Sequence, residues 1–314
     1  MTESRTGGHI PVLAEQTVEL LSPRSGETVL DCTAGVGGHA AILAEPLGPS
    51  GVIIVNDLDP ANLRTSIDRM EALEAGPRVV GWRGNFVDAP RLAREAGLGV
   101  DVLLADLGFA STQVDDAERG LSFMRDGPLD MRLDPTGPVT AKQLVNTLPE
   151  QELADVLFRF GEERASRRIA SKIVEVRGGR TIETTSDLAT IVRSVLGGRR
   201  HERIDPATRT FQALRIAVND ELGNLGSLLE AIARGAAGVG GSAWLNPGAR
   251  VAIISFHSLE DRLVKRGFRE LVQRGLARAA TRRPIEASDA EKGYNPRSRS
   301  AKLRVIELAD RSAG

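Results

Sequence analysis

Short apolar segments that alternate with helical patterns most constrain the fold of this 314-residue chain. Four such segments are rich in β-branched residues and have the length of buried strands: 28–33, 51–57, 78–82 and 101–106. Helical patterns separate them, and this order is typical of parallel βαβ units, in which each helix connects two strands of one sheet. The sequence therefore predicts an α/β fold built on a parallel sheet.

The alternation stops after the fourth segment and resumes only near the end of the chain. Residues 112–150 are rich in Asp, Gly and Pro and are predicted as loop, and at least four helical stretches follow. In the first stretch, apolar residues at i, i+3, i+4 and i+7 would form one buried face: Leu153, Val156, Leu157 and Phe160. Strand patterns return at 247–256 and 301–308. We predict a Rossmann-like domain in two parts, interrupted by a mostly helical insert; the ranges are 1–111 and 217–314 for the domain, and 112–216 for the insert.

The cysteine and histidine content argues against an intrachain disulfide and against a Cys/His zinc site. The single cysteine, Cys32, rules out an intrachain disulfide. The four histidines are scattered along the chain, so no Cys/His zinc cluster is expected and we predict no metal site. The longest apolar runs are strand-sized, well below the ~20 residues that span a membrane, and the first residues lack the apolar run of a signal peptide. These features predict a cytoplasmic protein.

The formal net charge of −1 hides a strong asymmetry along the chain. Residues 1–150 carry 12 basic and 22 acidic side chains, whereas residues 151–314 carry 29 and 20. Two segments concentrate the excess: 262–283 has eight basic residues and one acid, and 292–304 has five basic residues and no acid. A polyanionic partner is expected, and phosphate contacts are predicted for seven side chains: Arg262, Lys265, Arg266, Arg269, Arg297, Arg299 and Lys302. The alternative is that part of the first segment is the solvated face of a helix.

A glycine-rich turn, DCTAGVGGHA over residues 31–40, follows the first predicted strand and precedes a helical pattern. This order is typical of nucleotide-binding loops, with Gly35 and Gly37 as the G-x-G pair. Asp57 stands 22 positions after Gly35, at the end of the second strand. An acidic residue in that position is a candidate to hold ribose hydroxyls.

Two carboxylates argue against a dinucleotide in this loop. Asp31 precedes the glycines and Asp106 ends the fourth strand, where negative charge would repel a pyrophosphate. S-adenosylmethionine has no phosphate and carries a positive sulfonium and a positive α-amino group, both of which carboxylates attract. The two residues therefore favour an S-adenosylmethionine-dependent methyltransferase over a dehydrogenase. The competing interpretation is that Asp31 caps its own turn.

From residue 106 onward the pattern becomes specific to one family. The run DLGFASTQVDDAERGLSF closely resembles the MraW/RsmH family of 16S ribosomal RNA cytosine-N4 methyltransferases. Further blocks match in the family's order: HIPVL (9–13), GEERASRRIA (161–170), PATRTFQALRIAVNDEL (206–222), ISFHSLEDRLVKR (254–266) and NPRSRSAKLRV (295–305). The resemblance implies methyl transfer from S-adenosylmethionine to N4 of a cytidine in the decoding region of 16S rRNA, within the small (30S) ribosomal subunit. It also implies a split class I methyltransferase domain with a helical substrate-binding insert.

The resemblance implies cofactor contacts for residues that match the family by position: Gly37, Gly38, His39, Asp57, Phe86, Asp106 and Gln113. Phe86 would stack on adenine, and its alternative is a core phenylalanine. Two departures from the family pattern occur. FAST stands at 109–112 where VSSP is common, and RIDPATR stands at 203–209 where a histidine usually precedes the proline, so that Asp205 is in an unusual place.

Two residues are candidates for the chemistry. Asp106 would form the polar end of the site, with nearby backbone carbonyls accepting hydrogen bonds from N4 and with Phe109 either beside the base or in the core. His257 could take the proton that the methylated amine loses, contact RNA, or cap the following helix. Ser258 and Asp261, three residues apart, predict the N-terminus of that helix.

The residues alone are also compatible with other functions. A nicotinamide-dependent oxidoreductase could use the same fold, but it predicts neither Asp31 nor a basic C-terminal part. A ribosome-assembly or RNA-binding protein could retain a vestigial cofactor pocket without transferring methyl groups. DNA cytosine-N4 methylation is disfavoured because DLGF replaces the Asp/Ser-Pro-Pro-Tyr/Trp signature. The sequence leaves open the general base, metal dependence, the choice between naked RNA and assembled subunits, and the oligomeric state, a homodimer included.

Overall fold

A single eight-stranded sheet organises the part of the chain that the computed structural model describes, residues 10–109, 111–197, 205–238 and 244–310. Its strands are β1 (Thr28–Asp31), β2 (Val52–Asp57), β3 (Arg78–Arg83), β4 (Val100–Asp106), β5 (Leu245–Ser255), β6 (Ala277–Ala279), β7 (Ile285–Glu286) and β8 (Lys302–Leu308). The strand order is β3-β2-β1-β4-β5-β8-β6, and β7 also pairs with β8.

The direction of the strands identifies the fold class. The first five strands are parallel to one another, and β8 runs antiparallel to both β5 and β6. The chain passes outward from β1 to β3 and then returns to place β4 on the other side of β1. In open α/β sheets, ligands bind at the carboxyl ends of the strands beside such a reversal. The predicted α/β, Rossmann-like fold is confirmed.

Helices connect the strands and form the insert. Within the described residues they are α1 (Ala14–Leu21), α2 (Gly38–Ala44), α3 (Pro60–Glu71), α4 (Ala89–Glu95), α5 (Ser111–Asp115), α6 (Ala141–Thr147), α7 (Glu150–Gly161), α8 (Ser166–Arg177), α9 (Thr185–Leu196), α10 (Thr208–Asn219), α11 (Glu221–Ala237), α12 (Ser258–Gln273) and α13 (Asp289–Tyr294). None of these described helices has the length and apolar character needed to cross a membrane.

The chain divides into two compact units. The sheet unit comprises the described residues up to Gly108 together with those from Gly223 onward. The helical unit, Phe109–Leu222, contains α5 to α10. The sequence placed the two boundaries after residues 111 and 216, and the second of these positions lies inside α10, which continues to Asn219.

Each unit has its own hydrophobic core. In the sheet unit the central strands are buried on both faces: β1 is buried throughout, as are the last seven residues of β5. Such continuous burial is expected of parallel strands that helices cover on both sides. In the helical unit, Leu153 and Leu157 are fully buried, and Val156 and Phe160 pack against the same cluster, which confirms the predicted face of α7.

The prediction of loop throughout 112–150 is wrong over most of α5 and over all of α6, the longer of the two helices. A reciprocal capping box joins Thr140 and Gln143 at its start, and the side chains of Ala141 and Val145 are completely buried. A helix of two turns gains most of its stability from such caps and contacts. The surrounding Asp, Gly and Pro residues concealed it in the sequence. The short elements α1, α13, β6 and β7 were also not predicted.

The Asp205 departure from the family pattern has a local explanation. Its Oδ1 accepts a hydrogen bond from the N–H of Ala207, just before α10, and its Oδ2 lies 2.7 Å from a guanidinium nitrogen of Arg193. Burial alone would raise the pKa of Asp205, but the hydrogen bond and charge of Arg193, together with the backbone hydrogen bond, lower it. Asp205 therefore ties the start of α10 to α9.

Candidate active site

Three carboxylates end three adjacent strands of the sheet. Asp31 ends β1, Asp57 ends β2 and Asp106 ends β4. These strands are parallel and β1 lies between the other two, so their carboxyl ends meet at one edge of the sheet. The sequence proposed all three as cofactor-site residues, and the topology brings them to the same edge.

The glycine-rich loop between β1 and α2 is fixed against this edge. Gly35 has a φ of +52°, and its N–H donates to Oδ2 of Asp57 over 2.8 Å. Gly37 has a φ of +81°, and a Cβ there would lie 3.0 Å from Oγ of Ser66. Both its backbone conformation and its surroundings therefore require glycine.

Both carboxylate oxygens of Asp57 accept hydrogen bonds from backbone N–H groups. Oδ1 accepts from the N–H of Asp59 over 2.8 Å, and Oδ2 accepts from Gly35. Burial raises the pKa of Asp57 to about 6, and these two hydrogen bonds limit the rise. The side chain of Asn62 also hydrogen-bonds Asp57, and the carboxylate keeps acceptor capacity for the predicted ribose contact. Asp59 is the N-cap of α3 and accepts a hydrogen bond from the N–H of Ala61.

Asp31 is almost completely buried, with 1% of its surface exposed. Oδ1 accepts from the N–H of Thr33 over 3.0 Å, which is the turn cap offered as its alternative role. Oδ2 is also buried but accepts no hydrogen bond from the described residues. Burial raises the pKa of Asp31 to about 7; the charge of His39 opposes the rise, and the charges of Asp106 and Asp57 add to it. A buried carboxylate oxygen without a donor is where a cationic ligand group would be stabilised.

His39 lies in the first turn of α2 and faces Asp106. Its Nε2 is 3.5 Å from Oδ2 of Asp106. Burial lowers the pKa of His39, but the hydrogen bond and charge of Asp106 and the charge of Asp31 outweigh it, so the pKa is raised above 6.5. Oδ1 of Asp106 is buried and, in the described part of the chain, has no hydrogen-bond donor. Asp31 and Asp106 thus each retain one acceptor atom for a ligand.

Two polar residues that the sequence analysis missed hold the strand ends together. Asn56 donates from Nδ2 to the carbonyl oxygens of Cys32, over 2.9 Å, and Gly84, over 3.1 Å. Thr33 accepts from the N–H of Asp106 through Oγ1 over 2.7 Å. The position of Asn56, next to Asp57 at a strand end, was a signal that could have identified it.

The remaining predicted cofactor residues lie in different surroundings. Phe86 begins a single 3-10 turn after β3 and packs, half-buried, against the core of the sheet unit. This is the core position given as its alternative, although part of the residue stays exposed. Gly38 begins α2, where a Cβ would come within 2.9 Å of Pro11. Gln113 lies in α5 of the helical unit and is buried there.

His257 is the N-cap of α12. Its Nδ1 accepts from the N–H of Glu260 over 3.3 Å, and Oε2 of Glu260 accepts in return from the N–H of His257. The helix begins at Ser258, as Ser258 and Asp261 predicted, and His257 has the capping role that was one of its alternatives. The residues that cap it are His257 and Glu260.

The predicted RNA-binding residues belong to two groups. Four lie exposed on α12: Arg262, Lys265, Arg266 and Arg269. In the second group Arg299 is exposed, whereas Arg297 and Lys302 are half-buried. Nζ of Lys302 is 3.7 Å from Asp261, which also accepts from Arg304 over 2.7 Å. Asp261 therefore compensates part of the charge of a segment that has no acid of its own.

Phe109, the first residue of the FAST departure, contacts a cation in the helical unit. The guanidinium carbon of Arg215 lies 4.7 Å from the centre of the Phe109 ring. Glu221 fixes this guanidinium through two hydrogen bonds of 2.8 and 2.9 Å. A cation over an aromatic face is attracted by the ring quadrupole, so this phenylalanine has a packing role in its own unit.

The fold and the site define a class of protein. A Rossmann-like sheet whose glycine loop is bordered by buried carboxylates with unpaired oxygens fits a methyltransferase better than an enzyme that binds a dinucleotide pyrophosphate. The model of a family described as "MraW methylase family" matches residues 6–309. The chain belongs to the MraW methylase family.

Relatives similar to this chain share one name. Ribosomal RNA small subunit methyltransferase H from Acidobacterium capsulatum is 44% identical over 304 residues, which cover 95% of this chain and 98% of that protein. The protein of the same name from Geobacter sulfurreducens is 46% identical over 319 residues, covering 96% and 99%. Among solved structures, Aeropyrum pernix fibrillarin with bound S-adenosyl-L-methionine is similar with a TM-score of 0.37 and 12% identity, covering 93% of this chain and 73% of that one.

Proposed function

We propose that this chain transfers a methyl group from S-adenosylmethionine to 16S rRNA of the small ribosomal subunit, at the exocyclic N4 of a cytidine in the decoding region. The observation that carries the proposal is a pair of buried carboxylate oxygens for which the described residues provide no donor, Oδ2 of Asp31 and Oδ1 of Asp106. Membership of a methylase family supports the reaction. The names of relatives more than 40% identical over almost the whole chain support the substrate class.

The cofactor is assigned to the carboxyl edge of the sheet. When bound, S-adenosylmethionine supplies a methyl group on a positively charged sulfur. Asp31 would face one of its positive groups, because a cation next to the unpaired oxygen stabilises the ionised carboxylate. Asp57 would hold the ribose hydroxyls, and Phe86 would contact adenine. Loop residues 35–39 complete the proposed set in the sheet unit, and the cofactor contact of Gln113, in the helical unit, stays a prediction from the family resemblance.

Asp106 is the proposed catalytic residue. The lone pair of cytosine N4 is delocalised into the ring, so this amine is a weak nucleophile. A carboxylate that accepts a hydrogen bond from N4–H orients the nitrogen and draws away its proton. The N4–C bond forms as the C–S bond breaks, the sulfur keeps the bonding electrons, and the nitrogen loses one proton, which we assign to Asp106. The imidazole of His39 lies 3.5 Å away, and the charge of Asp106 favours its protonated form.

The RNA is assigned to the basic surface of the sheet unit. The exposed cations of α12 and the exposed Arg299 can neutralise phosphates, and Arg297 and Lys302 would contribute less because they are half-buried. Binding should therefore weaken as salt concentration rises. Use of the assembled 30S particle and a cytoplasmic location remain predictions.

Nucleoside mass spectrometry tests the proposal. The purified protein is incubated with methyl-labelled S-adenosylmethionine and small subunits from a strain that lacks the modification, and the RNA is then digested. We expect labelled N4-methylcytidine from the wild type and from Asp68→Ala, a surface control on α3 with 53% of its side chain exposed. We expect none from Asp106→Ala, provided that its unfolding transition matches the wild type.

Other outcomes overturn defined parts of the proposal. Labelled 5-methylcytidine would keep the methyltransferase and discard the amine chemistry. An absence of label, together with measured S-adenosylmethionine binding and an active control enzyme on the same particles, would favour an RNA-binding protein with a vestigial pocket. A failure to bind S-adenosylmethionine would reject the cofactor.

A further inference from the structure

A groove of about 230 Å³ opens to solvent beside α12, away from the three carboxylate-bearing strand ends in the sheet order. Residues of α12 form one wall, and residues of β6, β8 and the turn after β6 form the other. The volume is below the roughly 300–1,000 Å³ of pockets for whole small-molecule ligands. The groove therefore suits a fragment of a larger molecule.

The charge of the groove is positive. Its lining includes Lys265, Arg269, Arg282 and Arg304 and no acidic residue. Arg304 is paired with Asp261, so its charge is largely compensated. Within the described parts of the chain, neither Arg269 nor Arg282 has a carboxylate at ion-pair distance. An anion placed here would have at least two unpaired cations as partners.

Repulsion between like charges destabilises α12, and a bound anion would reduce this repulsion. Lys265 and Arg269 stand four residues apart on α12, so their side chains are neighbours on one face. Like charges at this spacing destabilise a helix. Asp261, four residues before Lys265, lies on the same face but is already paired with Arg304 and Lys302. Position 273, four residues after Arg269, is a glutamine and offers no negative charge. The pattern favours a bound anion over a simple solvated face.

The floor of the groove is apolar. Phe268, Val305 and Ile306 line it with buried side chains, and Val272 at the rim is 38% exposed. A free phosphate or an acidic side chain makes no use of such a floor. An unpaired nucleotide does, because it combines a negative phosphate with a flat, largely apolar base. Base-paired RNA does not expose its base faces in this way.

We propose that this groove binds one unpaired nucleotide of the substrate RNA, with its phosphate on Arg269, Arg282 and Lys265 and its base on the floor beside Val272. The inference rests on the proposed function, which makes RNA the substrate. It adds Arg282 and an apolar contact to the basic residues of α12. The groove is thus a second nucleotide site that holds the RNA strand apart from the methylated base.

Adjacent arginines provide a matched test of the phosphate contact. The probe is a fluorescent single-stranded RNA hexamer, and its affinity for the full chain is measured by anisotropy over a series of salt concentrations. Arg282→Gln should weaken binding about fivefold at physiological salt and reduce the slope of log affinity against log salt by about one. Arg283→Gln, the next residue along, does not line the groove and should change affinity by less than about twofold. Equal effects of the two variants would overturn the proposal.

A second pair of variants tests the base contact. Val272→Ser should weaken binding of the ordinary hexamer about three- to tenfold with an unchanged salt slope, because apolar contact with the base is lost and no charge is removed. The same variant should bind an abasic hexamer as the wild type does. Gln273→Ser, on the next position of the helix, is the control. Stronger competition by an acidic peptide than by RNA would reassign the groove to a protein partner.

Methyl transfer measured in parallel separates this inference from the proposed function. If the wild type methylates small subunits but groove variants bind the hexamer normally, the groove proposal alone is rejected. If the wild type transfers no methyl group but the groove variants lose RNA affinity as expected, the groove proposal stands and the proposed reaction fails.

Discussion

Nε2 of His39 lies 3.5 Å from Oδ2 of Asp106, and the two side chains are only 6% and 18% exposed. The pair joins the first turn of α2 to the end of β4. Burial works against a charged His39, but the hydrogen bond and charge of Asp106, the charge of Asp31 and a backbone hydrogen bond with Val12 raise its pKa. Protonation of His39 is therefore coupled to the carboxylates of the proposed cofactor site.

Replacement of Asp106 by asparagine should lower the pKa of His39. The substitution keeps the shape of the side chain but removes the charge that favours the imidazolium form. NMR titration of the His39 ring, assigned with His39→Gln, measures the shift. An unchanged His39 pKa in Asp106→Asn would show that the 3.5 Å pair carries no electrostatic coupling.

The same pair predicts how stability depends on pH. Because the folded-state pKa of His39 is raised above 6.5, its protonation contributes stability that is fully present below pH 6.5. That contribution is lost as pH rises through the folded-state pKa. The difference in unfolding free energy between the wild type and His39→Gln should therefore shrink from pH 5.5 to pH 9, measured by urea denaturation. A difference that grows with pH would contradict the assignment.

Asp31 predicts a loss of stability in the same direction of pH, at lower pH values than His39. Its folded-state pKa of about 7 is above the ordinary 3.8 because of burial, so the folded protein binds a proton that the unfolded chain has released between these values. Folding stability from this group is present below pH 3.8 and is lost as pH rises to 7, by at most on the order of 4 kcal/mol. Asp31→Asn should gain stability over the wild type across this window in urea denaturation without ligand.

Two controls make the Asp31 experiment specific. Asp88→Asn, at the residue before α4 with 49% of its side chain exposed, tests for a general effect of removing a carboxylate. Calorimetric titration with S-adenosylmethionine should show weaker binding to Asp31→Asn than to the wild type, by about tenfold or more, since a cation–carboxylate contact is lost. An Asp31→Asn variant that gains stability and binds the cofactor normally would leave Asp31 as a turn cap alone.

Gly37→Ala should destabilise the protein by about 1–3 kcal/mol, because alanine is strained at a φ of +81° and its Cβ would crowd Ser66. Gly226→Ala is the matched control: this glycine lies inside α11, and a Cβ there meets nothing within 4 Å. It should stabilise the helix by about 0.5–1 kcal/mol. Thermal denaturation of both variants measures the two changes in stability. Equal changes would contradict the claim that the loop requires glycine at position 37.

Two substitutions distinguish the capping role of His257 from a catalytic role. His257→Ala should cost about 0.5–2 kcal/mol of unfolding free energy, because the N–H of Glu260 loses its acceptor. Asparagine is a good N-cap, so His257→Asn should recover most of that stability and keep kcat for methyl transfer within about twofold. A stable His257→Asn protein with a much lower kcat and an altered pH profile would show that the imidazole takes part in proton transfer.

The carboxylates at the strand ends could be predicted because strand ends follow from the apolar runs. Once β1, β2 and β4 are recognised as parallel neighbours, Asp31, Asp57 and Asp106 must lie at one edge. The same reasoning does not give the atoms that each carboxylate contacts. Oδ1 of Asp31 caps its own turn while Oδ2 has no described donor, and only coordinates distinguish the two.

Contacts between residues that are distant in the sequence could not be predicted from it. Asp261 looks like an acid at a helix start, yet it pairs with Arg304, 43 positions away. Two overlapping pairs have the three-residue spacing of a capping box, His257 with Glu260 and Ser258 with Asp261, and the sequence does not rank them. Local spacing predicts elements well, but it does not rank polar partners whose choice depends on packing.

The pairing of β4 with β5 has a consequence for synthesis of the chain. Leu104 pairs with Ala252, 148 positions later, so β4 has no partner on that side until the second part of the sheet unit has left the ribosome. At the usual 5–20 residues per second, that delay is roughly 7–30 s. During it, the nascent chain presents the apolar edge of β4, whose residues 102–105 are all buried in the finished sheet. Aggregation competes with folding in this interval, and a chaperone that covers the open edge would act there.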